Sequence, residues 1–243
     1  MEREGMQTLA GRRVLVAGGT TGIGRACVEL LLNANAKVAT FARTEEDLKD
    51  LKALHPEVCV LKADLAKPEE LSKVVDRVHA EFGGIDALIN NAGIGAESVT
   101  TMSYKDWHNV IETNLAGPMF LTQLVSEKMT SGGHIINIGS LSAKTRGEGS
   151  DVYVATKMGL RGFSDSVGRL LGQKGIIVTL IEPGLVASDM TTVDKEQEEI
   201  DEQRRKDEMI EAADIARAVT FTLSQPDRMV IAEMQIRPRA QLI

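Results

Sequence analysis

Apolar residues recur along this chain in two alternating patterns: short continuous runs, and longer stretches with helical spacing. Strands that are covered on both faces of a parallel sheet are apolar along their whole length, so the short runs predict buried strands. These runs lie at 13–17, 37–41, from 58, and at 85–90, 134–139, 176–184 and 229–238. Helical spacing fills the intervals, at 25–33, 45–54, 69–82, 104–129, 152–171 and 212–224. The alternation predicts an α/β fold, a doubly wound parallel sheet with right-handed crossovers.

Small and polar residues follow the predicted strands at the points where they end. GGTTGIG follows the first strand, Arg43 the second, Asp64 the third, NNAG the fourth and Ser140 the fifth. The carboxyl ends of parallel strands lie at one edge of the sheet, and ligands of such sheets bind at that edge. We therefore expect these segments to form one site.

The first of these segments is a glycine turn between a strand and a helix. Gly18, Gly22 and Gly24 permit a tight turn and close approach of the backbone to a pyrophosphate at the helix N-terminus. The spacing, Gly-x-x-x-Gly-x-Gly, differs from the usual Gly-x-Gly-x-x-Gly dinucleotide fingerprint of the Rossmann fold. A plain glycine-rich turn is the alternative interpretation.

The ends of the second and third strands bear on the nucleotide. An acidic residue after the second strand favours NAD(H), whereas an Arg favours a 2′-phosphate; here Ala42 is followed by Arg43, which favours NADP(H) and leaves NAD(H) possible. An ordinary solvated arginine is the alternative. Asp64 either accepts a hydrogen bond from an adenine amino group or caps the helix that begins near Pro68.

Two asparagines lie in otherwise apolar surroundings. Asn91 follows the fourth strand, where we expect it mainly to tie adjacent strands together, and the small Ala92 and Gly93 after it can lie against a flat ring. Asn114 lies in the long helical stretch near Gly117, where it either satisfies a kink or serves a site.

The stretch 140–157 carries the groups that can move a proton. Tyr153 and Lys157 are four residues apart in a helical segment, so their side chains share one helix face. A phenol exchanges protons efficiently near neutrality only where positive charge stabilises the phenolate, and Lys157 supplies such a charge. Ser140, at the end of a strand, can meet this pair. A half-buried packing tyrosine is the alternative interpretation of Tyr153.

Composition is that of an ordinary globular protein, with 43% hydrophobic and 26% charged residues in 243. We expect a single domain over 1–243, in which the charge-rich segment 186–211 is a mobile, partly helical substrate lid.

The net charge of −7 argues against a nucleic-acid partner. No apolar run is long enough to span a membrane and no signal-peptide pattern is present, so we expect no membrane association and a cytoplasmic location. The two cysteines predict buried thiols, and the four histidines show no metal-ligand spacing.

Taken together, AGGTTGIG, NNAG, ETNLAG, NIGS, YVATK and the Pro-Gly turn resemble the classical short-chain dehydrogenase/reductases from about Leu9 to Arg237. One departure is Ala17, which stands where the family usually has Thr, so the side-chain hydroxyl that ties the strand to the glycine loop is lost.

The resemblance implies a role for each matching residue. Tyr153 is the general acid in ketone reduction and the base in the reverse direction, and Ser140 hydrogen-bonds the substrate oxygen. Lys157 assists Tyr153 and binds the nicotinamide ribose, and Asn114 holds a water that connects Lys157 to solvent. The residues implied around the cofactor are Gly18, Thr20, Thr21, Gly22, Ile23, Gly24, Arg43, Asp64, Leu65, Asn91, Ala92, Gly93, Tyr153, Lys157, Pro183, Gly184, Val186 and Ser188. The family also implies a homo-oligomer, a tetramer or dimer, formed by the helices at 104–129 and 152–171.

Three functions are compatible with these motifs. The first is an NADP(H)-dependent ketone reductase or alcohol dehydrogenase for small molecules. The second is a 3-oxoacyl carrier-protein reductase, ranked lower because Lys128 alone is basic before the fifth strand and the lid is rich in Glu. The third, a nucleotide-sensing protein without catalysis, ranks last because both Tyr153 and Lys157 are present.

Overall fold

The computed structural model describes residues 7–188, 191 and 197–241. The bounds of its main-sheet strands are β1 Arg13–Ala17, β2 Lys37–Ala42, β3 Cys59–Lys62, β4 Ala87–Asn90, β5 His134–Ile138, β6 Ile177–Pro183 and β9 Glu233–Ile236. The helices are α1 Gly22–Asn33, α2 Glu45–Leu54, α3 Pro68–Phe82, α4 Tyr104–Ile111, α5 Gly117–Ser126, α6 Ser142–Thr145, α7 Asp151–Gly172, α8 Gln197–Arg205 and α9 Ala212–Leu223.

The main sheet is parallel, with strand order β3-β2-β1-β4-β5-β6-β9. The order reverses between β1 and β4, which confirms the predicted doubly wound topology of a Rossmann-like fold. All the strand ends that carry the candidate residues lie along one edge.

Alternate residues of β1 belong to different hydrophobic cores. Val14 and Val16 pack on one face with residues of α1 and α9, whereas Leu15 and Ala17 pack on the other face with residues of α3 and α5. Because both faces are covered by helices, the strand is apolar throughout, and its residues therefore show no alternation of apolar and polar positions.

The prediction of one continuous helix over 104–129 is wrong, because the helix is interrupted and ends earlier. It consists of α4, a π-helical turn at Glu112–Ala116 and α5, which ends at Ser126. A π turn inserts one extra residue into the helical hydrogen-bond ladder, and it lies directly before Gly117, where the sequence predicted a kink. Gly117 allows the helix to pass close to β3, since a Cβ there would lie 2.4 Å from the Leu65 carbonyl oxygen.

The predicted lid contains two short strands that the sequence did not indicate. β7 Val186–Ala187 pairs in parallel with β8 Ile210–Glu211. This pairing joins the two ends of the segment, and α8 lies between them. Residues 189, 190 and 192–196 of the predicted lid lie outside the described residues.

The prediction of two buried thiols is confirmed by the core. Cys27 and Cys59 are free, buried thiols, and burial raises the pKa of Cys27 to about 12 and that of Cys59 to about 11. His134 begins β5 in the interior, and its Nε2 lies 2.9 Å from Thr179 Oγ1. Since the Thr179 hydroxyl donates to the Ile231 carbonyl, Nε2 of His134 must carry the hydrogen and donate to it.

Burial lowers the pKa of His134 to about 3, whereas an unfolded histidine titrates near 6.5. The unfolded chain therefore binds a proton below pH 6.5 that the folded chain does not, so stability falls as pH falls from that value. In the parent protein this effect lowers the free energy of unfolding by about 2 kcal/mol between pH 7 and pH 5. We expect His134→Gln to abolish that decrease, because glutamine does not titrate. Urea denaturation of both proteins at each pH measures this. Parallel profiles for the two proteins contradict the prediction.

Candidate active site

A cavity of about 300 Å³ lies along the carboxyl edge of the sheet. Residues at or after the ends of β3, β2, β1, β4, β5 and β6 all line it, so it crosses five strand intervals of about 4.8 Å, or about 24 Å. The predicted residues that line it are Gly18, Thr20, Thr21, Gly22, Ile23, Arg43, Asp64, Leu65, Asn91, Ala92, Gly93, Ser140, Tyr153, Lys157, Pro183, Gly184, Val186 and Ser188. Its length and its lining suit an elongated ligand.

Gly24 and Asn114 were predicted for the site but do not line the cavity. Gly24 lies beneath the glycine turn, where a Cβ would be 2.0 Å from the Gly18 carbonyl oxygen. Its lack of a side chain lets α1 pack against the turn, so its part in the fold is close packing. Asn114 lies behind the cavity wall.

The glycine turn approaches β4 as closely as backbone allows. Gly18 has a φ of +71° and Gly22 a φ of +52°, in the left-handed region that glycine favours. A Cβ on Gly18 would lie 2.8 Å from the Cβ of Ala92. The turn is therefore held against the segment that follows β4, and both line the cavity.

Thr40 ties the glycine loop to β2, in a contact that sequence reasoning missed. Its buried hydroxyl accepts a hydrogen bond from Gly19 N at 2.9 Å and donates to Val16 O at 2.8 Å. Ala17 has no hydroxyl for such a tie, so Thr40 supplies it from the neighbouring strand. The one sequence signal was a Thr among the apolar residues of KVATFA.

The N-terminus of α1 is open toward the cavity. Thr21 is the N-cap residue, its side chain makes no capping hydrogen bond, and no acidic residue lies in the first turn. Because Thr20, Thr21, Gly22 and Ile23 line the cavity, the partial positive charge of the helix end faces it. This arrangement suits an anionic group.

Asn91 has the scaffold contact that the sequence predicted. Its Nδ2 donates to the Gly18 carbonyl at 3.0 Å and, more weakly, to that of Ala17 at 3.4 Å. Ala92 N also donates to Ala17 O at 3.0 Å. The strand end after β4 is therefore bonded to the glycine turn through both side chain and backbone.

The hydrogen bonds of Asp64 distinguish between its two predicted roles. Asp64 Oδ1 accepts from Ala66 N at 3.0 Å, and the N-cap of α3 is Lys67, not Asp64. The helix-cap alternative is therefore wrong, because the carboxylate closes a turn two residues on instead. Asp64 lines the cavity, as do Arg43, Thr44 and Asp47 beyond β2.

Tyr153 and Lys157 lie one turn apart on α7, as their spacing predicted. Lys157 is buried, its Nζ donates to the Ile138 carbonyl at 3.0 Å, and it lies 5.6 Å from the centroid of the Tyr153 ring. The ammonium charge is therefore fixed beside the phenol. Ser140 lines the same cavity, and its Oγ accepts from Ser142 N at 3.1 Å, which leaves the hydroxyl hydrogen for another acceptor.

Asn114 lies in the π turn and holds the segment after NNAG. Its Oδ1 accepts from Ile94 N and its Nδ2 donates to Ile94 O, both at 2.8 Å. A Cβ on Gly93 would lie 3.3 Å from Asn114 Oδ1 and 3.7 Å from Lys157 Nζ, so these two atoms flank the same glycine. Asn114 therefore fixes the backbone that lies between it and the lysine.

Sequence reasoning missed part of the lining. These residues are Phe41, Ala42, Thr44, Asp47, Ala63, Ile94, Thr113, Ile138, Gly139 and Thr191. Most of them flank residues that were predicted, so extending each motif by one or two positions would have found them. Asp47 lies on helix α2, away from every predicted motif, and gave no such signal.

The profile of the short chain dehydrogenase family matches residues 12–199, most of the chain. The chain belongs to that family. It is an oxidoreductase of the short-chain dehydrogenase type, as the motifs at 17–24, 90–93, 140 and 153–157 predicted.

Relatives and solved structures match nearly the whole short-chain dehydrogenase. An uncharacterised oxidoreductase of Staphylococcus saprophyticus is 31% identical over 97% of this chain and 99% of its own length. The 3-oxoacyl-[acyl-carrier-protein] reductase FabG of Salmonella typhimurium is 34% identical over 92% and 94%. A short chain dehydrogenase of Burkholderia cenocepacia, solved in complex with NADP, is 30% identical over 95% and 98%, with a TM-score of 0.84.

The described part of this dehydrogenase contains neither a membrane-spanning helix nor a cluster of metal ligands. No helix there is both long and apolar enough to cross a membrane. No group of three or more His, Cys, Asp or Glu residues in those same ranges is placed to hold a metal ion.

Thr40→Val removes the hydroxyl that holds the glycine loop while keeping the shape of the side chain. We expect it to lower the free energy of unfolding by about 1–3 kcal/mol, because Gly19 N loses its acceptor. Urea denaturation measures the loss, and amide exchange at Gly19 should become faster. Thr222→Val is the matched control, since that buried hydroxyl donates to a helix carbonyl in α9, away from the loop. Unchanged exchange at Gly19 contradicts the role of Thr40.

Proposed function

We propose that this chain transfers a hydride between NADP(H) and the carbonyl or secondary alcohol of a small molecule, as a ketone reductase or alcohol dehydrogenase, with Tyr153 as general acid and base. The observation that carries the proposal is that Ser140, Tyr153 and Lys157 line the same cavity as the glycine turn and Arg43. A proton-transfer group and a dinucleotide-sized groove therefore share one site.

The cavity fits a dinucleotide on grounds of its own chemistry. The open N-terminus of α1 suits a pyrophosphate, the small Ala92 and Gly93 leave room for a flat ring, and Asp64 can accept from an adenine amino group. Arg43 suits a 2′-phosphate, while Ala42 places no carboxylate there to repel it. This favours NADP(H) over NAD(H), in line with the NADP complex of the Burkholderia relative. When bound, the nicotinamide supplies or accepts the hydride.

The proton is handled by the chain's own residues. In reduction, Tyr153 donates its hydroxyl proton to the developing alkoxide, and the fixed charge of Lys157 favours the phenolate that remains. Ser140 donates its hydroxyl hydrogen to the same oxygen, because its Oγ already accepts from Ser142 N. In oxidation the roles reverse, and the Tyr153 phenolate takes the proton from the alcohol.

Asn114 has a supporting part in this mechanism. It fixes the backbone at Ile94 beside Gly93, next to Lys157 Nζ, and so it preserves the space through which a water can connect the lysine to solvent. The path for the proton then runs from Tyr153 past Lys157 toward Asn114.

We further propose a domain organisation, an assembly and a location for this chain. The chain acts as a single domain in which 186–211 is the substrate lid, because the β7–β8 pair ties both ends of that segment beside the cavity. It assembles as a dimer or tetramer through the helical region 104–129, which contains α4 and α5, and through α7, where Tyr104, Met119, Met158 and Leu170 are exposed. We place it in the cytoplasm.

A 3-oxoacyl carrier-protein reductase is the second candidate, favoured by the 34% identity to the Salmonella FabG protein. The argument against this function took Lys128 to lie near the mouth of the active site, and that placement was wrong. Lys128 precedes β5, at the edge of the sheet opposite the cavity, where it pairs with Asp76 at 3.0 Å. Comparing turnover of free ketones with that of carrier-bound 3-oxoacyl thioesters distinguishes the two functions.

Tyr153→Phe tests the proposed mechanism. Removing the phenolic oxygen should lower kcat by at least about 100-fold, since it removes the general acid, while the NADPH dissociation constant stays nearly unchanged. NADPH consumption with a panel of ketones measures kcat, and fluorescence titration measures binding. Tyr104→Phe is the matched control, because the other tyrosine is exposed on α4. Retained turnover in the Tyr153 variant refutes its role, and NADPH binding without turnover in the parent protein supports a nucleotide sensor.

Arg43→Ala tests the cofactor assignment. Loss of the guanidinium should weaken NADPH binding by about 10- to 100-fold, the worth of hydrogen bonds to a charged group, and should leave NADH binding unchanged. Lys62→Ala is a fitting control, because Lys62 ends the neighbouring strand and pairs with Glu45. Equal losses for the two cofactors would place Arg43 away from the 2′-phosphate.

A further inference from the structure

Four charged side chains form a cluster behind the Ser140 loop, here called the charge bridge: Lys144, Arg161, Glu182 and Glu233. Arg161 NH1 donates to Glu182 Oε2 at 2.6 Å, and its NH2 donates to Glu233 Oε2. Lys144 Nζ lies 3.0 Å from Glu233 Oε1 and 3.9 Å from Glu182 Oε2. The two positive and two negative charges balance within one contact network.

The charge bridge joins the segments that carry the proposed proton-transfer groups. Arg161 lies one turn beyond Lys157 on α7 and two turns beyond Tyr153. Lys144 lies on α6, four residues after Ser140. Glu182 lies in β6, directly before the Pro-Gly turn that lines the cavity, and Glu233 lies in the edge strand β9. The bridge therefore connects α7 to the Ser140 loop by way of β6 and β9.

Glu182 touches the loop directly. Its side chain is fully buried, and a Cβ on Gly139 would lie 3.2 Å from its Cγ, so Glu182 packs against the backbone immediately before Ser140. The backbone on both sides of Ser140 is also bonded to β6, since Gly139 N donates to Ile181 O and Leu141 N donates to Pro183 O. A movement of Glu182 would thus be transmitted to Ser140.

Packing does not by itself explain why a carboxylate occupies the buried position of Glu182. Glu182 Oε1 accepts no hydrogen bond from any described residue, and burial raises the pKa of Glu182 against the opposing effect of Arg161. Burial also disfavours the charged form of Glu233, yet hydrogen bonds from Arg161, Gln235 and Lys144 hold its pKa at about 2. Apolar side chains of similar volume commonly serve as well as a buried ion pair for stability. The guanidinium of Arg161 differs from such apolar side chains, because its planar set of N–H donors fixes the direction of its hydrogen bonds.

We propose that Arg161 and Glu182 are positioning residues, which hold the Ser140 loop in register with α7 and so set the placement of the Ser140 hydroxyl relative to Tyr153. The inference rests on the proposed reductase function. It assigns the charge bridge to the geometry of the reacting groups and not to cofactor binding, because its residues do not line the cavity.

The paired variant Arg161→Met with Glu182→Met tests the proposal without leaving an unbalanced charge. It removes one positive and one negative side chain, and Lys144 and Glu233 remain paired. We expect kcat to fall by about 10- to 100-fold, the cost of displacing a reacting group by about 1 Å. The NADPH dissociation constant should not change, and amide exchange over residues 140–146 should become faster.

The matched control is Arg13→Met with Asp86→Met. This pair also joins an arginine to a carboxylate through several hydrogen bonds, with Arg13 Nε 2.8 Å from Asp86 Oδ2, but it lies at the opposite edge of the sheet. It should change stability while kcat and exchange over residues 140–146 stay as in the parent. A fall in kcat in this control would mean that any lost ion pair lowers activity, which would overturn the specific role of the charge bridge.

A parent-like kcat and parent-like exchange in the paired charge-bridge variant would overturn the proposal. So would equal losses of kcat, NADPH affinity and melting temperature, because these indicate a structural role only. Should the paired variant fail to fold, Lys144→Met breaks the link from α6 while Arg161 still holds both carboxylates. Faster exchange and a lower kcat in that variant support the proposal, and parent values of both refute it.

The proposed function and the positioning role fail in different ways. A parent protein that turns over no ketone or alcohol refutes the reductase assignment. The exchange measurement over residues 140–146 needs no turnover and still shows whether the charge bridge holds the loop.

Discussion

The close approach of backbones at the reversal of strand order is the constraint on which the rest of the site depends. Gly18 lies against Ala92, Gly24 lies beneath the Gly18 carbonyl, and a Cβ on Gly19 would be 2.4 Å from Thr40 Oγ1. A packed interior cannot absorb added atoms without moving its elements. The three contacts therefore fix β1, β2, β4 and the start of α1 in one arrangement, and the open helix end faces the cavity only in that arrangement.

The groups that line the cavity are held by partners that lie outside it. Thr40 holds the glycine loop, and Asn114 holds Ile94 from the π turn. The Ile138 carbonyl holds Lys157. Because these hydrogen bonds are made within the fold itself, they fix the backbone and side chains that line the cavity. Residues outside the cavity thus determine the geometry of the site.

The sequence predicted what depends on local pattern. Buried strands, covering helices and the residues at strand ends follow from apolar runs and from the parallel topology, and residue spacing alone placed Tyr153 beside Lys157. Contacts between distant segments left no such signal. Thr40 looked like a β-branched strand residue, and the π turn at Glu112–Ala116 has an ordinary helical composition. A helix cap stayed one of two alternatives for Asp64 because a cap residue and a turn residue have the same preferences in sequence.

The two halves of the cavity are held by different kinds of interaction. The glycine turn is fixed by steric contact and backbone hydrogen bonds, which leave almost no tolerance for a side chain. The Ser140 side is held by backbone hydrogen bonds to β6 and, in addition, carries paired charges on α6, α7, β6 and β9, whose separation can change by small amounts without a clash. Partial burial protects these charges from screening by salt. A sequence can therefore change the substrate side through its ionic contacts while the dinucleotide side stays rigid, which allows one scaffold to carry different substrate geometries.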